Sequence, residues 1–320
     1  MPLQLLLLPL ALPQPPPRRV ALQQRDAAEA QNPVNPFLPT VSVRAGAQIV
    51  DANFRAYPAL NDDATRMAVN AGRRHRLHLK DTDGSEEVDP TVELFSDGSL
   101  MSRFALALAA RKAVDRKEFF ESAEFFARVR SKLKADDGVA TLVDVAGGHG
   151  LVGALVAIHK FRDFKRVIVR DRRKPKAFDA VVAAATEVAP WVEGRIVYEQ
   201  GDVGGKHGKP LPAGCAIAAV HGCNKLTDMI IEAAAEADAR SVALMPCCYA
   251  HTAAAAPQGL RNALGVALAA DVHRTYTMER HGWNVAWKAI PAQITPMNRI
   301  LLAHRPGRTV ETAKAVIDRE

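Results

Sequence analysis

The sequence predicts an α/β fold: a doubly wound, Rossmann-like seven-stranded sheet with an antiparallel last strand, preceded by a helical N-terminal extension. Three observations predict it. From residue 139 onward, short runs rich in Val, Ile and Leu alternate with longer helical stretches. Those runs are apolar throughout, as strands buried on both faces are. The last two, "NVAWKAI" and "NRILLAH", stand too close together for a crossover helix, so they pair antiparallel.

Residues 1–40 read as something other than fold. "LQLLLLPLAL" is an apolar run broken by Pro9, "PQPPPRR" follows, and the first acid is Asp26. An acid-poor, Arg-containing leader of this kind suggests a targeting segment for an organelle, plastid or mitochondrion; a disordered proline-rich tail in a cytoplasmic protein is the alternative. Residues 41–135 form the extension, helical from about 102. Within it "GRRHRLHLKDTDGSEEVDP" reads as a loop with His75 and His78 on the surface. Phe119, Ala123, Phe126, Val129 and Leu133 recur at helical spacing, which predicts one long tract from Ser102 to Lys134.

The main domain is placed at 136–310, with 311–320 as a tail. "VATLVDVA" is the first strand and "LVGALVAIHKF" its helix. "RVIVRD", "RIVYEQGD", "CAIAAVHG" and "SVALMPCCY" are the next four strands, with helices at "AFDAVVAAATEVAPWV", "LTDMIIEAAAEA" and "LRNALGVALAADVHRTYTMERHG". At 48% hydrophobic residues over 320 positions, the chain can bury a sizeable core. No apolar run is long enough to span a bilayer, which argues against stable membrane insertion. All four cysteines (Cys215, Cys223, Cys247 and Cys248) fall in one short interval, unlike a disulfide framework.

The turn after the first strand, "DVAGGHGLVG", admits two ligands. Gly148-x-Gly150-x-x-Gly153 fits a dinucleotide fingerprint, and would make the chain an NAD-dependent oxidoreductase. Asp144, Ala146, Gly147, Gly148 and Gly150 equally suit S-adenosylmethionine, with Asp144 against the methionine ammonium. A carboxylate is poorly placed there for a pyrophosphate. Asp171, with Arg172 beside it, ends the second strand where an acid accepts ribose hydroxyls. Asp202 and Val203 follow the third, on the adenine side. The antiparallel last strand also favours S-adenosylmethionine.

At the ends of the fourth and fifth strands, "VHGCNKLTDMII" and "ALMPCCYAH" resemble a methyltransferase-domain family, the one containing the methyltransferase-like 25 proteins and relatives of a tRNA ribose methylase. His221, Cys223, Thr227 and Asp228 match its first signature, Cys247 and Cys248 its second. "VDVAGGHG", "VRDRRKP" and "ITPMNRILLA" are similar to its other motifs, over residues 139–305. The resemblance implies an S-adenosylmethionine-dependent methyltransferase. Ala146 and Asn224 depart from the usual glycines, leaving room for a non-catalytic binding protein on this fold. An alanine at 146 costs little if its φ is negative.

His221, Gly222 and Cys223 are then expected to line the cofactor's reactive end. His221 is the candidate base, or a clamp on a carbonyl; Asp228 braces the loop. Cys247 and Cys248 are candidate nucleophiles or ligands, with packing as the plainer role, and Cys223 is a further catalytic candidate. No metal is expected, because the Cys and His spacing matches no zinc motif and adjacent cysteines are awkward tetrahedral partners. The run Arg170, Arg172, Arg173, Lys174 and Lys176 could track phosphates or form a solvated basic loop; the net charge of +7 permits RNA as a partner, and the family resemblance implies it.

Overall fold

The computed structural model describes residues 53–79, 90–136, 138–204, 208–249 and 256–305. Segments 1–40 and 311–320 lie outside the described residues. Seven strands form one sheet: β1 (Thr141–Val145), β2 (Arg166–Asp171), β3 (Ile196–Gln200), β4 (Ala216–Ala219), β5 (Ser241–Leu244), β6 (Asn284–Ala289) and β7 (Arg299–His304). Their order is β3-β2-β1-β4-β5-β7-β6. The first five pair in parallel, and β7 runs antiparallel to both β5 and β6. The expected doubly wound sheet is present, with β7 inserted between β5 and β6.

Around it lie α1 (Asp63–Val69), α2 (Thr91–Leu94), α3 (Leu100–Ala110), α4 (Arg116–Val129), α5 (Leu151–His159), α6 (Ala177–Val188), α7 (Lys225–Glu236), α8 (Gln258–Leu264) and α9 (Val266–Arg280). No described helix is long and apolar enough to cross a membrane. Successive strand residues feed opposite faces of the sheet. Leu142, Val167 and Val169 join the phenylalanines of α3 and α4, whereas Val143, Ile168 and Ile217 pack under α7 with Trp283. Both faces are therefore buried, which is why the strands read as unbroken apolar runs.

The single tract expected from 102 to 134 is two helices. The chain leaves α3 through Lys112 at φ 47°, and α4 restarts with the Asp115 N–H donating to the Glu118 carboxylate at 3.1 Å. The apolar stripe of α4 is buried as the periodicity predicts. Its opposite side carries acids. Glu124 is buried against Arg128 and accepts the Arg55 and Ala56 N–H groups at 3.0 and 2.9 Å, fastening the segment before α1 to α4.

Candidate active site

β1 ends at the point where strand order reverses, with β2 on one side and β4 on the other. In open α/β sheets, ligands bind outside the carboxyl ends of strands at such a switch. The turn there is built on left-handed backbone. Ala146, Gly148 and Gly150 have φ of 53°, 50° and 77°. Gly147 is demanded by space instead. A Cβ on it would lie 2.8 Å from both the Asp144 Cγ and carbonyl oxygen, and 2.9 Å from Val169 Cγ1. Gly153 likewise lets α5 rest on β2, since its Cβ would meet Val167 Cγ1 at 2.9 Å. Packing thus accounts for the third glycine of the dinucleotide pattern.

The φ of Ala146 is 53°, so the condition under which an alanine costs little there is not met. An L-residue in the left-handed region crowds its Cβ against its own carbonyl. Ala146→Gly is expected to raise stability by about 0.5–1 kcal/mol, after allowing for the extra freedom of glycine in the unfolded chain. Urea unfolding of parent and variant checks this.

Asp144 sits under the turn, 2% exposed, and its Oδ2 accepts the Gly153 N–H at 2.9 Å. The sequence reading puts it at the rim against a ligand ammonium. The ladder explains the difference: Asp144 pairs in register with Val169 and Ala218, one residue short of the strand end. Burial pushes its carboxyl up to about 7, against the downward pull of the Gly153 N–H. The sign follows. The unfolded chain releases this proton near 3.8 and the folded chain near 7, so stability falls as pH rises through that window and levels off above it. Asp144→Asn is expected to remove that share of the slope, read from urea midpoints of parent and variant across the window.

Asp171 ends β2 half-buried. Its Oδ2 accepts the Gly148 N–H at 3.0 Å and its Oδ1 the Arg172 N–H at 2.6 Å. Arg172 Nε in turn donates to Asp202 at 2.5 Å, and Val203 is buried beside it. Hence Gly147, Gly148, Gly150, Asp171, Arg172 and Asp202 form one connected rim, with Asp144 buried beneath it.

The expected basic track does not survive as drawn. Arg170 is a β2 residue, 3% exposed, spent on Glu199 at 2.8 Å and on the Lys209 and Pro210 carbonyls. Lys174 pairs with Asp179 at 2.7 Å. Of the five, only Arg173 and Lys176 have no carboxylate partner among the described residues.

The other side of the crevice is built by the β4 and β5 ends together with α4. His221 Nε2 lies 3.5 Å from Glu121, which is 1% exposed and also pairs with Lys117 at 2.9 Å. Although 45% of the His221 side chain meets solvent, crowding by neighbouring atoms lowers its pKa; Glu121 opposes this and Lys117 adds to it. His149, from the glycine turn, lies 3.4 Å from Glu118 and holds that carboxyl down at about 2. The His149 Nδ1 is buried with no hydrogen-bond partner among the described residues. Thr227 donates to the Gly222 carbonyl, fixing the turn into α7. Cys223 Sγ lies 2.6 Å from Cys247 Sγ, and that contact lowers the Cys223 thiol to about 6 while raising Cys247. Asp228 braces the loop as expected, through Arg274 Nε at 2.8 Å.

Lys117, Glu118, Glu121 and His149 were not among the candidates. A signal for them exists: Lys117 and Glu121 stand at i and i+4, Glu118 and Glu121 at i and i+3, on a helix whose other face is the phenylalanine stripe.

Together these features define a Rossmann-like α/β domain with a polar crevice at the carboxyl edge of its sheet. Residues 116–255 match the family model of a methyltransferase domain. The match opens on α4, so Glu118 and Glu121 fall inside it. No curated protein matches the chain. Among solved structures, an uncharacterized protein from Listeria monocytogenes serotype 4b is similar at TM-score 0.36 and 12% identity, covering 57% of this chain and 67% of that one. A Methanococcus jannaschii fibrillarin pre-rRNA processing protein gives TM-score 0.32 and 11% identity, over 55% of this chain and 69% of its own. PigF with SAH gives TM-score 0.32 and 14% identity, over 90% and 86%.

Proposed function

We propose that the chain is an S-adenosylmethionine-dependent methyltransferase with the donor over the Ala146–Gly150 turn. The observation that carries this reading is β7, antiparallel and inserted between β5 and β6, in a domain that matches a methyltransferase family model. A dinucleotide-binding sheet continues 3-2-1-4-5-6, so the insertion favours the sulfonium donor over NAD. The finer kinship with methyltransferase-like 25 proteins rests on the His221-Gly222-Cys223 and Cys247-Cys248 signatures.

In this reading Gly148 and Gly150 face the methionine end, and Asp144 braces their turn from beneath. Asp171 accepts the ribose hydroxyls. Arg172 steers Asp202 toward the adenine side, next to Val203. The donor supplies a methyl group on a positively charged sulfur. The protein's task is to align an acceptor in line with it and exclude water. His221, oriented by Glu121, takes a proton where the acceptor must lose one. With Arg170, Arg172 and Lys174 already engaged, an RNA acceptor would be held through Arg173 and Lys176. Residues 1–40 are proposed to direct the chain to an organelle, and a fluorescent fusion of that segment spread through the cytosol would refute this.

Asp171→Ala is expected to weaken S-adenosylhomocysteine binding by about 1–3 kcal/mol, the scale for losing a hydrogen bond to a charged group. Calorimetric titration of both proteins checks this, and equal affinities would remove Asp171 from the site.

A further inference from the structure

Three thiols converge where the β4 and β5 ends meet. Cys223 Sγ lies 2.6 Å from Cys247 Sγ, and Cys247 Sγ lies 3.6 Å from Cys248 Sγ. All three sulfurs fall within 4.8 Å of one another. Cys223 and Cys247 are half-buried and Cys248 is exposed, so an ion reaches them from solvent. Cys215 is fully buried and takes no part in the cluster.

The two loops that bring these thiols together are held from below. The Asn224 N–H donates to the Cys248 carbonyl at 3.0 Å, joining one loop to the other. Arg274 of α9 donates its Nη2 to the Asn224 carbonyl at 3.0 Å. One turn earlier on the same helix, Asp271 accepts the Tyr249 hydroxyl at 2.9 Å. Each anchor is the chain neighbour of a thiol-bearing residue: Asn224 follows Cys223, and Tyr249 follows Cys248. The buried face of a single helix therefore sets the distance between the two loops.

We propose that Cys223, Cys247 and Cys248 form a three-thiolate site for a soft, filled-shell cation, zinc(II). At a Zn–S distance of about 2.3 Å, tetrahedral geometry puts the sulfurs roughly 3.8 Å apart. Cys247 and Cys248 already meet that spacing at 3.6 Å. The Cys223 sulfur reaches it by moving about 1 Å, a side-chain rotation that leaves both loops in place. On binding, each sulfur forms an S–Zn bond, and each one still protonated gives up its S–H proton to solvent; no electrons are transferred. Three protein ligands leave a fourth position for water or another ligand, the arrangement of zinc sites that act on a bound molecule. A disulfide is the competing fate. It joins two sulfurs only, leaves Cys248 outside, and consumes an oxidant such as peroxide.

The test uses the full chain, purified under reducing conditions without chelator. Elemental analysis should find zinc in a one-to-one ratio with protein. After metal removal, cobalt(II) titration should produce the near-ultraviolet thiolate-to-cobalt charge-transfer band, and zinc should abolish it. Cys247→Ser is expected to weaken cobalt binding at least about 100-fold, beyond the 10–100-fold typical of losing an outer partner. Cys215→Ala should leave the band unchanged. Parent protein with neither bound zinc nor a charge-transfer band would overturn the proposal, as would a band that persists in Cys223→Ser. So would a Cys223–Cys247 disulfide as the form isolated with a glutathione buffer present. The parent titration needs no variant to fold and no methyl donor, so its outcome stands apart from that of the methyltransferase reading.

Discussion

Asp271→Ala is expected to cost about 3 kcal/mol of stability and to loosen the loop carrying Cys247 and Cys248. Asp271 is fully buried and accepts from Tyr249 at 2.9 Å, from Arg299 Nε at 2.8 Å and from Arg274 Nη1 at 3.4 Å. Removing one partner of a buried ion pair costs about 3–5 kcal/mol, because the other charge stays desolvated. The low end applies here. Arg274 keeps Asp228 and the Asn224 carbonyl, and the Arg299 side chain is 23% exposed. Denaturant unfolding measures the loss, and a change below about 1 kcal/mol would mean that Asp271 does not anchor these loops. Tyr249→Phe, which removes only the hydroxyl, should cost much less, about 1 kcal/mol.

Gly147→Ala should strike the glycine turn directly. The added methyl group would lie 2.8 Å from the Asp144 carboxyl carbon and backbone oxygen and 2.9 Å from Val169. Neither a backbone oxygen nor a buried strand residue gives way cheaply, and overpacking of this kind costs about 1–3 kcal/mol. The relief available is a shift of the turn itself, away from Asp171. S-adenosylhomocysteine affinity should therefore fall about tenfold or more, a loss of at least about 1.4 kcal/mol. Gly148→Ala provides the contrast. No atom of the described residues lies within 4 Å of its Cβ position, so among them only its φ of 50° opposes the substitution. If Gly147→Ala bound as tightly as the parent, the turn would not be the ligand's seat.

The strands were legible because burial on both faces leaves continuous apolar runs, and the β6–β7 pairing was legible because its connection is short. Insertion of β7 next to β5 was not, since strand order across a sheet is decided by long-range packing. The break between α3 and α4 lies in "RKAVDR", whose residues are all compatible with a helix; one left-handed lysine makes the turn. Arg170 read as part of a surface run because its neighbours are basic, yet its pairing with Val145 and Glu199 fixes it within the sheet. Asp144 was recognised as part of the turn but placed on the wrong side of it: a sequence marks the end of a strand only to within a residue or two, and one residue separates rim from interior. Glu118 and Glu121 were hidden because a helix with a strong apolar stripe reads as core, and its charged face as solvent. The thiol cluster joins residues 24 positions apart, so no local spacing announced it.

The central claim is that the glycine turn seats a sulfonium donor and not a dinucleotide. It is tested most directly by titrating the parent protein with S-adenosylhomocysteine and, separately, with NADH. Saturable one-to-one binding of S-adenosylhomocysteine, with no change in NADH fluorescence, is the expected result. Saturable NADH binding without any heat from S-adenosylhomocysteine would contradict it.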